Sequence, residues 1–178
     1  MAAFAPCLTN YGFERVGMLW DLYDQAVPQK PAVYALVAGS KLLVSDYWYM
    51  ETKRDESGEW ASSDWLRKTL LDKATAIVPL EVFYIGSARH DLRKRIANYK
   101  SQSKKGWPSR LSQKEFTAKR HYATSLLRMA RAQRVPVDLY ILTVPSEPVY
   151  VGRAPVDLLH GWENGLIREL RPRGNRSR

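Results

Sequence analysis

Apolar and polar positions change period several times along the chain, and each period predicts an element. Residues 32–37 (Ala-Val-Tyr-Ala-Leu-Val) form an apolar, β-branched and aromatic run that enters from Pro31 and closes at Gly39 and Ser40, as a strand and turn would. Residues 42–50 predict a second strand, and the polar stretch 51–59, with Ser57 and Gly58, a turn or mobile loop. Ser62, Ser63 and Asp64 are N-cap residue types, so a helix is expected from there to Lys73, with Pro79 ending the unit. Residues 82–85 predict another strand, closed by Gly86 and Ser87. Leu92, Ile96 and Tyr99 then recur at i, i+4 and i+7, giving one apolar helix face with Asp91 placed to cap it.

Beyond a lysine-bearing loop at 101–106, residues 113–134 read as a long basic helix with Arg128, Arg131 and Arg134 on one stripe. Residues 137–144 predict a strand, and Pro145 and Pro148 break the chain after it. A last helix is expected from near Pro155, burying Leu158, Leu159, Trp162, Leu166, Ile167 and Leu170 and stopping at Pro172 before a basic tail. There is no internal repeat and no linker. The expected fold is α/β in the α+β sense: one domain over residues 1–178 with a small antiparallel or mixed sheet flanked by helices.

Composition narrows the class. A chain of 178 residues that is 45% hydrophobic can bury one continuous core. Cys7 is the only cysteine, so no internal disulfide is expected, and a small buried thiol in a reducing, cytoplasmic setting is the natural reading. Residues 1–13 lack the basic and apolar segments of a signal peptide, and no run of 18 apolar residues occurs, so no membrane association is expected. The net charge of +10 is unevenly spread. Residues 1–81 hold 8 basic and 11 acidic side chains, residues 82–134 hold 14 and 2, and residues 135–178 hold 6 and 5. A middle segment at a net +12 would attract a phosphate backbone through counterion release; a solvated basic surface is the plainer alternative.

His90, His121 and His160 belong to no HExxH motif and have no paired cysteines, so they suggest no zinc centre. GxGxxG, P-loop and GxSxG motifs are absent, which leaves nucleotide-dependent and acyl-transfer chemistry unsupported. Phosphodiester cleavage requires an activated water, an electrophilic clamp on the phosphoryl oxygens and support for the leaving oxygen. Tyrosine, arginine and a metal-binding carboxylate can supply these together.

Such residues occur here in a recognisable order. Ala32-Val33-Tyr34, Tyr84-Ile85-Gly86-Ser87, Asp91-Leu92-Arg93-Lys94-Arg95-Ile96 with Tyr99, Glu163-Asn164-Gly165-Leu166-Ile167 and Arg171-Pro172-Arg173-Gly174-Asn175 together resemble the GIY-YIG nuclease superfamily. In detail they are most similar to the N-terminal nuclease domain of the bacterial excision-repair endonuclease. The resemblance spans roughly residues 31–176. It implies that Tyr34 and Tyr84 are strand tyrosines facing the scissile phosphate, with Tyr34 the participant in proton transfer, and that Gly86 lets the backbone turn sharply beside the substrate. Arg95 would hold the phosphate, Tyr99 would hydrogen-bond the nucleophile or a phosphate oxygen, and Asn175 would brace the site or touch phosphate. Glu163 would be the single metal carboxylate, suited to Mg²⁺ or Mn²⁺ that keeps most of its waters. Arg89, Arg93, Lys94, Lys104, Lys105, Arg120, Arg128 and Arg131 are the candidate DNA contacts.

Three departures from the family pattern stand out. The first motif has Ala-Val-Tyr in place of Gly-Ile-Tyr. The stretch from Gly86 to Arg95 is one residue longer than usual, leaving Lys94 as an alternative phosphate ligand. About fifty residues separate Tyr34 from Tyr84, so residues 41–79 read as an insertion, with residues 1–30 an N-terminal extension. The insertion carries Trp48, Trp60 and Trp65, available to wedge or stack on DNA or to pack a core. The resemblance implies a stand-alone, restriction-type, Mg²⁺-dependent endonuclease acting on double-stranded DNA. A repair or mobile-element nuclease and a non-catalytic nucleic-acid-binding protein are the alternatives. Cutting both strands with one centre per chain would favour a homodimer or sequential nicking.

Overall fold

The apolar run that begins at Ala32 becomes an inner strand of a four-stranded antiparallel sheet. The computed structural model describes residues 3–44, 47–54, 57, 60–68, 76–104, 110–111, 122–143, 149–151 and 154–175. Strand β2 (Ala32–Ala38) lies between β7 (Val82–Ala88) and β9 (Val137–Thr143), and β1 (Glu14–Met18) pairs with the far side of β9. With neighbours on both edges and cover on both faces, β2 has no place for a solvated side chain, and all seven of its residues are buried. Its alternate residues divide the core. Ala32, Tyr34, Leu36 and Ala38 join Leu92, Ile96 and Tyr99 of α2 (Leu92–Ser103) and Leu126, Leu127, Met129 and Ala130 of α3 (Tyr122–Ala132). Val33, Ala35 and Val37 join Ala5 and Leu8 of α1 (Ala5–Leu8) and Leu159, Leu166 and Leu170 of α4 (Leu158–Leu170). The architecture is mixed α+β, with helices on both faces of the sheet.

Strand β7 is the sheet edge, and the end of the chain covers it. The register slips where Leu36 faces Tyr84 but Val37 faces Val82, so Phe83 is a bulge residue and both Phe83 and Tyr84 lean toward the α2–α3 side. The Phe83 carbonyl accepts from the Gly174 N–H at 2.6 Å. Asn175 brackets the residue after Tyr84: its Oδ1 accepts from the Ile85 N–H at 2.7 Å and its Nδ2 donates to the Ile85 carbonyl at 2.6 Å. The exposed edge is thus hydrogen-bonded without a further strand. A Cβ on Gly174 would lie 2.3 Å from the Phe83 oxygen, so only glycine allows this approach. Beside it, the Arg173 guanidinium forks onto the carboxylate of Glu81, which is 1% exposed.

Several elements differ from the sequence pattern, each for a tertiary reason. Residues 42–50 contribute to two strands, β3 (Leu42–Leu43) and β4 (Tyr47–Arg54), and β4 takes in residues 51–54 of the stretch expected as a turn or mobile loop, because β5 pairs with them. The expected helix from Ser62 is instead β5 (Trp60–Lys68), antiparallel to β4; residues 69–75 lie outside the described residues. Ser63 and Asp64, read as cap residues, fall where the register slips between the Met50–Trp65 and Thr52–Ser62 pairs. Strand pairing supplies hydrogen bonds that override a local cap signal. The arm leaves the sheet through β3 and returns through β6 (Ala76–Ile77), its antiparallel partner, while β8 (Arg110–Leu111) runs parallel to β4. Gln133 pins the base of the arm, accepting from the Leu43 N–H at 3.0 Å and donating to the Leu43 carbonyl at 2.6 Å. Trp48, Trp60 and Trp65 all sit on the β4–β5 pair.

Further along, β7 runs through Gly86 and Ser87 to Ala88. The described part of the basic helix is Tyr122–Ala132, and residues 123–130 are all buried; residues 112–121 lie outside the described residues. Residues 154–156 form β11 (Ala154–Val156), paired with β10 (Val149–Val151). Helix α4 therefore starts after Asp157, whose side chain accepts from the His160 N–H at 3.0 Å. Trp162, expected in the core, is 45% exposed, because α4 turns only Leu159, Leu166 and Leu170 fully inward. Cys7 is half-buried at the margin of the core. Among the described residues no helix is long and apolar enough to cross a membrane.

Candidate active site

Three tyrosines meet above Gly86. Tyr34 and Gly86 face each other across the β2–β7 pair, and Tyr84 lies two residues before Gly86 on the same strand. Tyr99 comes from the buried stripe of α2, which Asp91 starts by accepting from the Lys94 N–H at 3.0 Å. The Tyr34 and Tyr99 hydroxyls share a hydrogen bond at 2.7 Å. Their rings meet edge to face with centroids 6.0 Å apart, and the Tyr34 and Tyr84 rings are tilted with centroids at 6.2 Å. A Cβ on Gly86 would fall 2.6 Å from the Tyr34 hydroxyl and 2.8 Å from the Tyr84 ring. The glycine therefore serves by making room for the phenols; its φ is not positive, so the sharp turn expected there is absent.

Burial sets the chemistry of these phenols. It pushes Tyr34 far above the ordinary tyrosine range, with the neighbouring phenols adding to the rise. Tyr84 is pushed well up, first by burial, then by Tyr99 and by the Glu163 charge. Burial also raises Tyr99, but hydrogen bonds from Tyr34 and Tyr84 and the charge of Arg95 oppose that shift. All three are protonated hydrogen-bonding groups at neutral pH. Tyr34, at 1% exposure, lies behind its neighbours and does not itself face the surface, whereas Tyr84 is only part-buried. Arg95, half-exposed one turn before Tyr99, acts electrostatically on all three. Lys94, the alternative in register, is exposed on α2.

Glu163 approaches from the opposite face of the sheet. Ser87 pairs with Val33, whose side chain belongs to the α4 side of the core. The Ser87 hydroxyl donates to Glu163 Oε2 at 2.6 Å. One turn earlier on α4, His160 Nδ1 stands 3.6 Å from the same carboxylate oxygen. The Glu163 side chain is 19% exposed, and its charge reaches Tyr84 and Tyr99 around the edge of β7. Carboxylate and phenols thus converge on one edge strand from its two faces. Gly161 and Gly165 lie on the solvent side of α4, where a Cβ on either would meet nothing within 4 Å. Neither Ser87 nor His160 is a site residue on the motif pattern. Strand alternation after Gly86 and the i, i+3 spacing before Glu163 are the signals that point to them.

Among the described residues no three His, Cys, Asp or Glu side chains gather at one point. Of the described residues, the Glu163 carboxylate and the His160 imidazole are the ones that could meet a divalent ion at this site. That donor set fits a hydrated Mg²⁺ or Mn²⁺, and the Ser87 hydroxyl orients the carboxylate as an outer partner would.

The candidate DNA contacts separate into two groups. Lys94 and Lys104 are exposed, and Arg89 is exposed but paired with Asp157 at 3.0 Å. Arg128, expected on a solvent stripe, is 1% exposed and its Nε donates to the Gln102 carbonyl at 3.1 Å, so it is a core residue. Arg131 lies over the Trp20 ring at 5.1 Å and donates to Ser103 Oγ at 3.3 Å, and Arg93 Nε donates to the Val27 carbonyl at 3.0 Å. Part of the basic charge in residues 82–134 therefore holds elements together. Lys105 and Arg120 lie outside the described residues. Asn175, with its amide engaged by the Ile85 N–H and carbonyl, is a brace of β7.

Compared with protein-family models, curated proteins and solved structures, the chain matches none. The superfamily resemblance thus rests on the motifs alone.

Proposed function

We propose that this protein is a divalent-metal-dependent endonuclease that hydrolyses phosphodiester bonds in double-stranded DNA, as a restriction-type member of the GIY-YIG superfamily. The observation that carries the reading is the convergence on β7 of Tyr34, Tyr84, Tyr99 and Arg95 from one face and Glu163 from the other. Glu163, with His160 beside it, would hold the ion, which when bound supplies Lewis-acid stabilisation of charge on the phosphate. Arg95 binds the phosphoryl oxygens, where a permanently charged planar donor gains most as charge develops. Tyr84, the phenol with exposed surface, donates to a phosphate oxygen or to the nucleophilic water. Tyr34, fixed by its hydrogen bond to Tyr99, packs its ring against that phenol and holds it in place. This assigns Tyr34 a positioning role, because removing its proton in so buried a setting is unfavourable. Lys94 and Lys104 supply sequence-independent attraction to the backbone.

The test is incubation with supercoiled and linear duplex, with and without Mg²⁺ or Mn²⁺, followed by mapping of the cut ends. Discrete fragments are expected with metal. Glu163→Gln should keep the fold and duplex binding while lowering the cleavage rate at least about a hundredfold. Equal rates for wild type and variant would refute the assignment. Binding without metal-stimulated cleavage would leave a nucleic-acid-binding protein instead.

A further inference from the structure

We infer that His160 is a second protein donor to the metal held by Glu163, giving the site a mixed imidazole and carboxylate character that favours Mn²⁺ over Mg²⁺. The inference rests on the proposed nuclease site and concerns a residue that the superfamily resemblance does not implicate. Three observations carry it. His160 and Glu163 are three residues apart on α4, the spacing that brings side chains together on one helix face. Nδ1 of the imidazole stands 3.6 Å from Glu163 Oε2. Two donors each about 2.1 Å from one ion are about 3.0 Å apart at a right angle and about 3.4 Å at the tetrahedral angle. The observed separation is therefore within a small side-chain rotation of shared coordination. His160 has room for that rotation, since its side chain is 45% exposed.

The surroundings point the same way. The Ser87 hydroxyl donates to Glu163 Oε2 and so restrains the carboxylate, as outer-shell partners of metal ligands do. Asp157 accepts the His160 backbone N–H, so the helix turn that bears the imidazole is capped. A neutral imidazole is a softer donor than water or carboxylate and binds Mn²⁺ better than Mg²⁺. A site with this pair would thus discriminate between the two ions more than a carboxylate alone.

The experiment is titration of the intact protein with Mn²⁺, following free Mn²⁺ by electron paramagnetic resonance and bound Mn²⁺ by electron spin-echo modulation from coordinated nitrogen. Wild type is expected to show nitrogen modulation. His160→Ala should lose it and bind Mn²⁺ at least about tenfold more weakly. Competition by Mg²⁺ should then become relatively stronger. Glu163→Gln should bind Mn²⁺ most weakly. Absent nitrogen modulation in wild type, with Mn²⁺ binding still dependent on Glu163, overturns the role of His160 and leaves the Glu163 site intact. Equal Mn²⁺ binding by wild type and both variants instead removes the Glu163 site itself, and this inference with it.

Discussion

Replacing Gly86 by alanine tests the tyrosine cluster most directly, because the added methyl has nowhere to go. Its Cβ would lie 2.6 Å from Tyr34 Oη, 2.8 Å from Tyr34 Cζ and 2.8 Å from Tyr84 Cε1. Tyr34 is anchored in an inner strand and enclosed by α2, so its ring has little freedom to retreat. Overpacking of this kind costs about 1–3 kcal/mol, and displacing Tyr34 from Tyr99 adds about 1 kcal/mol for the lost hydrogen bond. The expected loss is therefore about 2–4 kcal/mol, which urea unfolding would read as a fall in midpoint of about 1–2 M at unchanged slope. Cleavage should fall as well, since Tyr84 loses its seat. Gly165→Ala is the matched control. No atom lies within 4 Å of the new Cβ, and alanine is the better helix residue, so this variant should gain up to about 1 kcal/mol. A Gly86→Ala protein within ~0.5 kcal/mol of wild type would refute the packing argument, whatever its activity.

Arg173→Ala leaves the Glu81 carboxylate buried without its guanidinium and should destabilise by about 3–5 kcal/mol in thermal or urea unfolding; Arg173→Ala combined with Glu81→Leu should recover much of that loss. A single variant as stable as wild type would show that the pair does not fasten the chain end to β7. Tyr34, Tyr84 and Tyr99 all have raised folded-state pKa values, so the stability from their neutral burial is fully present below about pH 10 and is lost as pH rises through the folded values. Alkaline titration should then show tyrosinate absorbance from these three only as the fold is lost, and titration of them in a folded protein would contradict it. Replacing residues 55–59 by a Gly-Ser turn, which spares β4 and β5, should leave thermal stability nearly unchanged, because the arm is held at its base by β3, β6 and Gln133. It should blur the cleavage pattern or weaken specific binding; an unchanged pattern and affinity would remove DNA selection as the role of the arm.

Much of the molecule follows from local pattern, and the exceptions have a common cause. The run at 32–37, the capped stripe Leu92, Ile96 and Tyr99, and the strand from Val137 each contain their own signal: a period, a cap or a bounding turn. The order of the motifs alone is enough to single out Tyr34, Tyr84, Tyr99, Arg95 and Glu163. Tertiary pairing decided what local pattern left underdetermined. Residues 60–68 became a strand because β4 could satisfy their backbone, and Arg128 entered the core because the Gln102 carbonyl was there to receive it. The same holds at the site. Sequence specifies that Gly86, Ser87, His160 and Glu163 exist and how far apart they are along the chain. Only folding puts Gly86 under the phenols and Ser87 against Glu163, because adjacent strand residues face opposite sides of the sheet and meet different helices there.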